Sequence, residues 1–245
     1  MTTRTEAKDV SHRRIRAAAS RMLRREGIEA TSVHKVMKGA GLTVGGFYAH
    51  FDSRQQMIRH AFLHAVRQRR DLVMALLQDR PTPEWLPTFL QSYLSLEHVE
   101  DRDNGCAWAA LLSELPRADT ATRSVAERLF ESSVRFYAQT LEPAQESQPR
   151  GRNARGRNAP TAAKARRDTS RSSGAPALSA REAALASLAL AFGHLNLARM
   201  AVSPRLRDEI LSTGLKAAAA ISAAAISASA VPAAAAPGAA GRSST

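Results

Sequence analysis

The sequence predicts an all-α protein: an N-terminal three-helix domain with helix-turn-helix spacing, then a C-terminal helical domain interrupted by a disordered basic insertion. Three observations lead there. Apolar residues recur at intervals of three and four over most of the chain, the period of a helix with one buried face. Aromatic residues make up only 5% of the 245 residues and no alternating Val/Thr/Tyr runs occur, which makes an all-β architecture improbable. The charge changes sign along the chain: residues 1–80 hold 16 basic and 7 acidic side chains, whereas residues 81–142 hold 5 and 10. A basic head on an acidic-to-neutral body places phosphate binding in the head and a different task in the body.

The first helix is expected from Val10 to Arg25, with Ile15, Ala18, Ala19, Met22 and Leu23 on one stripe and arginines over the rest; Gly27 supplies its left-handed end. A second, short helix starts at Thr31 or Ser32, either hydroxyl serving as N-cap, buries Val33, Val36, Met37 and Ala40, and breaks at Gly41. After a short turn a third begins near Thr43 and carries Phe47, with Tyr48 and Phe51 closing the unit, the spacing of a helix-turn-helix. Ser53 and Gln56 form a capping box for a fourth helix that runs to about Asp79. At 1.5 Å per residue it measures roughly 40 Å, enough to leave the head and enter the body.

Thr82, Pro83 and Glu84 read as the N-cap, first-turn proline and dipole-facing acid of a helix carrying Trp85, Leu86, Phe89, Leu90, Tyr93 and Leu94. A short helix from about Cys106 to Leu115 stops at Pro116, and another spans Thr120 to Leu141. From 143 to 178 the periodicity disappears, and Gln, Asn, Arg, Gly, Pro and Ser replace the apolar residues, so a disordered Arg-rich insertion is expected. Ser179 and Glu182 form a second capping box opening a long helix to Met200; Ser203 and Pro204 begin the last helix, which fades before Pro232. The expected division is 1–52 for the head, 53–142 for the connecting helix and first part of the body, 143–178 for the insertion, 179–231 for the final helices, and 232–245 for a disordered tail.

The formal net charge of +13 makes a polyanion the first partner to consider. The sequence holds no metal-ligand spacing, no glycine loop between a strand and a helix, and no nucleophile elbow, so neither an enzyme nor a metal or cofactor is expected. A single cysteine, Cys106, cannot close an intramolecular disulfide, and no secretory leader opens the chain; a cytoplasmic protein is expected. The weakly apolar stretch from Ala217 to Val231 falls short of a bilayer span, so no membrane is expected as a partner.

The string from Thr43 to Arg54, with its Gly41-Leu42 turn, Phe47 followed by Tyr48, then His50 and Phe51, and a Ser and a basic residue opening the next helix, resembles the recognition-helix signature of the TetR/AcrR family of bacterial transcriptional regulators. The resemblance covers about residues 8–60. It implies a homodimer whose heads bind a palindromic double-stranded operator and whose C-terminal ligand-binding and dimerisation domain takes a small-molecule effector, so that a ligand-responsive repressor released by a small hydrophobic effector is expected. The chain differs from the family pattern at Val44, where many members carry Lys or Arg, and in the insertion. A different reading is a helical small-molecule-binding protein with nonspecific nucleic-acid affinity from the insertion.

Candidate DNA-binding residues are Thr31, Ser32, Lys35, Thr43, Val44, Gly45, Gly46, Tyr48, His50 and Arg54. Gly45 and Gly46 either let backbone approach the duplex closely or make a loose turn. The resemblance implies phosphate contacts for Tyr48, His50 and Arg54; for His50, packing between helices is an equal alternative. Lys35 and Lys38 either face the duplex or sit on a solvated face. Candidate ligand-binding residues are Trp85, Phe89, Tyr93, Trp108, Leu112, Phe136, Tyr137, Phe192 and Asn196, for which ordinary core packing is the competing reading. Asn196 and His194 each need a polar partner if buried. Cys106 is read as buried and inert rather than as a redox sensor. Candidate dimerisation residues are Leu185, Leu188, Phe192, Leu195, Leu211 and Leu215 on the last two helices.

Overall fold

The computed structural model describes residues 4–142 and 178–229. Helix α1 (Arg4–Ala30) is longer than its apolar stripe announced: at Gly27 the backbone turns to φ 85°, ψ −179°, and the helix resumes beyond this kink rather than ending there. Ser32 caps α2 (Val33–Gly39), its hydroxyl accepting the Lys35 N–H at 3.2 Å. Gly41, at φ 65°, turns the chain as expected, in a conformation that side chains with a Cβ disfavour. The third element, Val44–Ala49, is a 3-10 helix rather than an α-helix. Its two glycines favour no longer helix, and the His50 N–H closes on the Phe47 carbonyl at 2.9 Å. Phe47 holds this element down, fully buried and 5.7 Å from the Phe51 ring.

Helix α3 (Arg54–Leu77) spans head and body as the length argument required. Its N-terminus differs in one detail: Ser53 accepts the Gln56 N–H at 3.1 Å, but the Gln56 side chain reaches back to the Asp52 N–H, at 2.6 Å, instead of to Ser53. Met57, Ile58, Ala61, Phe62 and Ala65 are buried and α3 packs along α1, while Val73 and Leu77 reach the body.

In the body, a 3-10 turn at Thr82–Glu84 leads into α4 (Trp85–Tyr93), without a cap bond from the Thr82 side chain. Leu94 leaves helical geometry, and Ser95 caps α5 (Leu96–Glu100), five residues being too few for a period to reveal. Helix α6 (Ala107–Leu111) is shorter than expected, and the Pro116 region continues as a 3-10 turn, Leu115–Arg117. Asp119 caps α7 (Thr120–Leu141). Helix α8 (Ala180–Met200) opens with both halves of the predicted capping box, and α9 (Pro204–Ser229) folds back along it after a three-residue link. At Gly214 on α9 a Cβ would lie 2.8 Å from the His194 ring and 2.9 Å from Leu94, so the close approach of these elements needs glycine.

Among the described residues α8 is the one helix whose length and composition would suit a bilayer, yet Ala183, Leu188, Ala191, Phe192 and Leu195 bury its inner face in the core. The insertion expected over 143–178 lies outside the described residues except for Leu178, which packs against the core, and the tail from 232 lies outside them entirely.

Candidate nucleic-acid interface and ligand cavity

The 3-10 helix presents Thr43, Val44, Gly45 and Tyr48 to the surface, with Gly46 half-exposed. Tyr48 is 75% exposed, an unusual position for an aromatic ring, and packs edge-on against Phe47. Neither Gly45 nor Gly46 has positive φ. A Cβ on Gly45 would meet nothing within 4 Å, and one on Gly46 would make only ordinary contact with Met37 at 3.9 Å and Thr43 at 4.0 Å. Nothing inside the chain therefore demands glycine here, and the bare backbone is available to a molecule outside.

Other candidates fare differently. Thr31 is fully buried and its hydroxyl donates to the Gly27 carbonyl at 2.6 Å, which corrects its assignment to the DNA surface. The Ser32 hydroxyl caps α2 from a half-buried position, and Lys35 pairs with Glu26 at 2.7 Å while remaining exposed. His50 is half-buried, its Nδ1 without a hydrogen-bond partner and its ring 6.0 Å from His12, which itself stacks on Phe51 at 4.7 Å. Burial, then the charge of Lys8, lowers the His50 pKa; burial, then His60, lowers that of His12.

Arg54 lies at the start of α3 where the resemblance places a phosphate ligand, but its donors are directed at the end of α1. Nε donates to the Thr31 carbonyl at 2.9 Å, and Nη2 to the carbonyls of Ile28 and Glu29, the latter at 3.1 Å. On the other side of the same kink, Glu114 of the body accepts the N–H groups of Ile28 at 2.8 Å and Glu29 at 3.2 Å. The break at Gly27 frees these donors, and a carboxylate is their natural cap. Arg25–Asp103 at 3.2 Å and Arg59–Asp119 at 3.4 Å are further head-to-body pairs, exposed enough to add little individually.

The body encloses a cavity of about 320 Å³ between α3, α4, α6, α7 and α8. Of the nine predicted ligand residues, Phe89, Tyr93, Trp108, Phe136, Tyr137 and Phe192 line it. Three do not: Trp85 stacks on Phe136 at 5.5 Å and bonds the Arg80 carbonyl through Nε1, Leu112 is exposed, and Asn196 donates to the Ala109 carbonyl at 2.9 Å, tying α8 to α6. His194 finds its partner in the Leu190 carbonyl at 2.9 Å. The sequence reading missed Arg67, Arg69, Arg70 and Met74 from α3, and Cys106, Ser132 and Ser133. A signal existed: three arginines within four residues stand on the part of α3 beyond the head. Burial pushes the hydroxyls of Tyr93 and Tyr137 well above their ordinary pKa.

Behind the cavity, the buried His98 accepts the Cys106 N–H on Nε2 at 3.0 Å and, from Nδ1–H, donates to the Tyr93 carbonyl at 2.8 Å. This arrangement needs the neutral ring. Burial, then the charge of Arg69, lowers the His98 pKa to about 3. Below pH 6.5 the unfolded chain takes up a proton that the folded one refuses, so stability falls as pH drops from 6.5 toward 3. The full shift corresponds to on the order of 5 kcal/mol. Between pH 6.5 and 4.5 the His98→Asn variant should lose stability less steeply than the native chain in urea titrations; parallel slopes would refute the assignment.

Of the predicted dimerisation residues, Leu188, Phe192, Leu195 and Leu211 are buried in the chain's own core, which corrects their placement at a surface; Leu185 and Leu215 are half-buried. The exposed apolar side chains on α8 and around its junction with α9 are Leu197, Met200, Val202 and Leu206, with Met200 66% and Val202 93% exposed. Gly193, one turn before Leu197, faces open space.

Residues 15–61 match the family model described as "Bacterial regulatory proteins, tetR family". No curated protein matches the chain. Among solved structures, a TetR-family transcriptional regulator from Cytophaga hutchinsonii aligns with TM-score 0.64 at 14% identity, covering 87% of this chain and 96% of that one. The reduced form of E. coli NemR aligns with TM-score 0.62 at 15% identity over 85% and 94%. A TetR transcriptional regulator from Chloroflexus aurantiacus aligns with TM-score 0.63 at 19% identity over 86% and 94%. At such identities these likenesses establish the fold.

Proposed function

We propose that the chain is a DNA-binding transcriptional regulator of the tetR family, a cytoplasmic, homodimeric repressor that binds a palindromic operator and is released by a small effector entering the body cavity; the match of residues 15–61 to the family model and the shared fold support this reading. The observation that carries this reading is the path from cavity to head. Cys106, Ala107 and Trp108 form one wall of the cavity at the start of α6, and Glu114, a few residues on, grips the α1 kink that leads into the helix-turn-helix. A ligand that displaces α6 shifts the carboxylate and with it the seating of the head. Effector and operator then oppose each other by reciprocal linkage.

Two experiments test the reading. Protection footprinting on DNA upstream of the protein's own gene should reveal two half-sites centred about 34–36 Å apart, the separation of successive major grooves; protection without symmetry or sequence preference counts against it. Glu114→Ala should leave two helix N–H groups without their acceptor, costing about 1–3 kcal/mol of stability, and should blunt release of the operator by effector more than it alters binding without effector. A native response in this variant would remove Glu114 from the path.

A further inference from the structure

Resting on the reading of the cavity as the effector site, we propose that its ligand is an organic anion: a carboxylate on a flat, apolar body of one or two rings, with Arg69 as the residue that pairs the carboxylate. The walls and the volume define the body. Phe89, Trp108, Phe136 and Phe192 offer aromatic faces, and about 320 Å³ stands at the small end of ligand sites, which run to roughly 1,000 Å³. The charges define the head. Every ionised residue lining the cavity is an arginine, Arg67, Arg69 and Arg70, all from α3.

Arg70 lies 3.4 Å from Asp71 near the surface, but no carboxylate among the described residues pairs with Arg69. Its guanidinium carbon sits 5.8 Å from the centre of the Tyr93 ring, and its Nε is buried without a hydrogen-bond partner. The Tyr93 hydroxyl, buried beside the same cavity, faces the Cys106 thiol. An unanswered guanidinium donor and no acid describe a site lacking an acceptor. A neutral hydrocarbon filling this space would strip water from Arg69 and return nothing, whereas a carboxylate offers two oxygens to the planar fork.

Calorimetry and thermal shift on the full chain, without DNA, test this with benzoate, phenylacetate, 2-naphthoate and indole-3-acetate, each against its neutral amide. At least one acid should bind ten times or more tighter than its amide. Arg69→Met should bring that acid to the level of the amide without changing amide binding, and Arg69→Lys, which keeps the charge and packing length but loses the fork, should fall between. Equal or tighter binding of the amides, no binding by any acid, or an acid preference untouched in both Arg69 variants overturns the proposal. If the acids bind as expected and operator affinity does not change on binding, the ligand class stands and the effector-release reading fails.

Discussion

Gly45→Val is expected to leave the protein folded and to remove most of the affinity for the proposed operator. Space around Gly45 is open and its φ is unremarkable, so a side chain there disturbs no neighbour in the chain. Alanine at this position should stabilise the 3-10 helix by about 0.5–1 kcal/mol, the usual gain over glycine in helical backbone. The same Cβ projects from the surface that carries Thr43, Val44 and Tyr48. If the backbone approaches the floor of the major groove there, alanine costs about tenfold in affinity, or ~1.4 kcal/mol, and valine more. Fluorescence anisotropy at one fixed salt concentration, alongside a thermal melt, separates the two effects. Operator binding unaffected by valine would mean that this surface does not read DNA.

The second large effect concerns assembly. Leu197→Glu combined with Met200→Glu should yield a folded monomer by sedimentation velocity, since both side chains are exposed and a charge on them disrupts nothing within the chain. On the proposed dimer reading, these exposed apolar side chains of α8 and its junction with α9 are the expected contact with the second copy. In the proposed dimer two heads bind as a tethered pair, so losing the partner should weaken operator binding by about two orders of magnitude or more. Leu188→Glu is the contrasting variant: with Leu188 buried, it should lower the melting temperature rather than split a folded dimer. A dimer that survives the double substitution places the interface elsewhere.

The helical architecture was readable because its cause is local: apolar spacing, Ser caps, and glycines at turns specify elements one at a time. The third element of the head was readable for the same reason, with Phe47 inward and Tyr48 outward. What escaped depends on distant partners. Leu188, Phe192, Leu195 and Leu211 share helix faces, as the period says, but a period cannot tell whether the chain itself or a second copy lies opposite. Arg54 was identified as a donor at a helix start, yet its acceptors are carbonyls over 20 residues earlier, at the end of α1. Glu114 sits 86 residues from the amide it caps and carries no local signature. The aromatic part of the cavity stood out as bulky residues at helical spacing, while Arg69 passed as one more charge on a basic helix.

The junction at Gly27 has a bearing on protein engineering. A side chain there would have to adopt φ 85° and would collide with the Glu114 carboxylate. Head and body thus share a two-part fitting, each half supplied by a different stretch of chain. A chimera that transplants residues 1–52 onto a foreign sensing body takes the socket without the plug, and its grafted head arrives with two amides in want of an acceptor. Hybrids that carry a carboxylate at the position facing the kink should transmit a signal; those cut at the apparent domain boundary alone should bind DNA and stay deaf to the inducer.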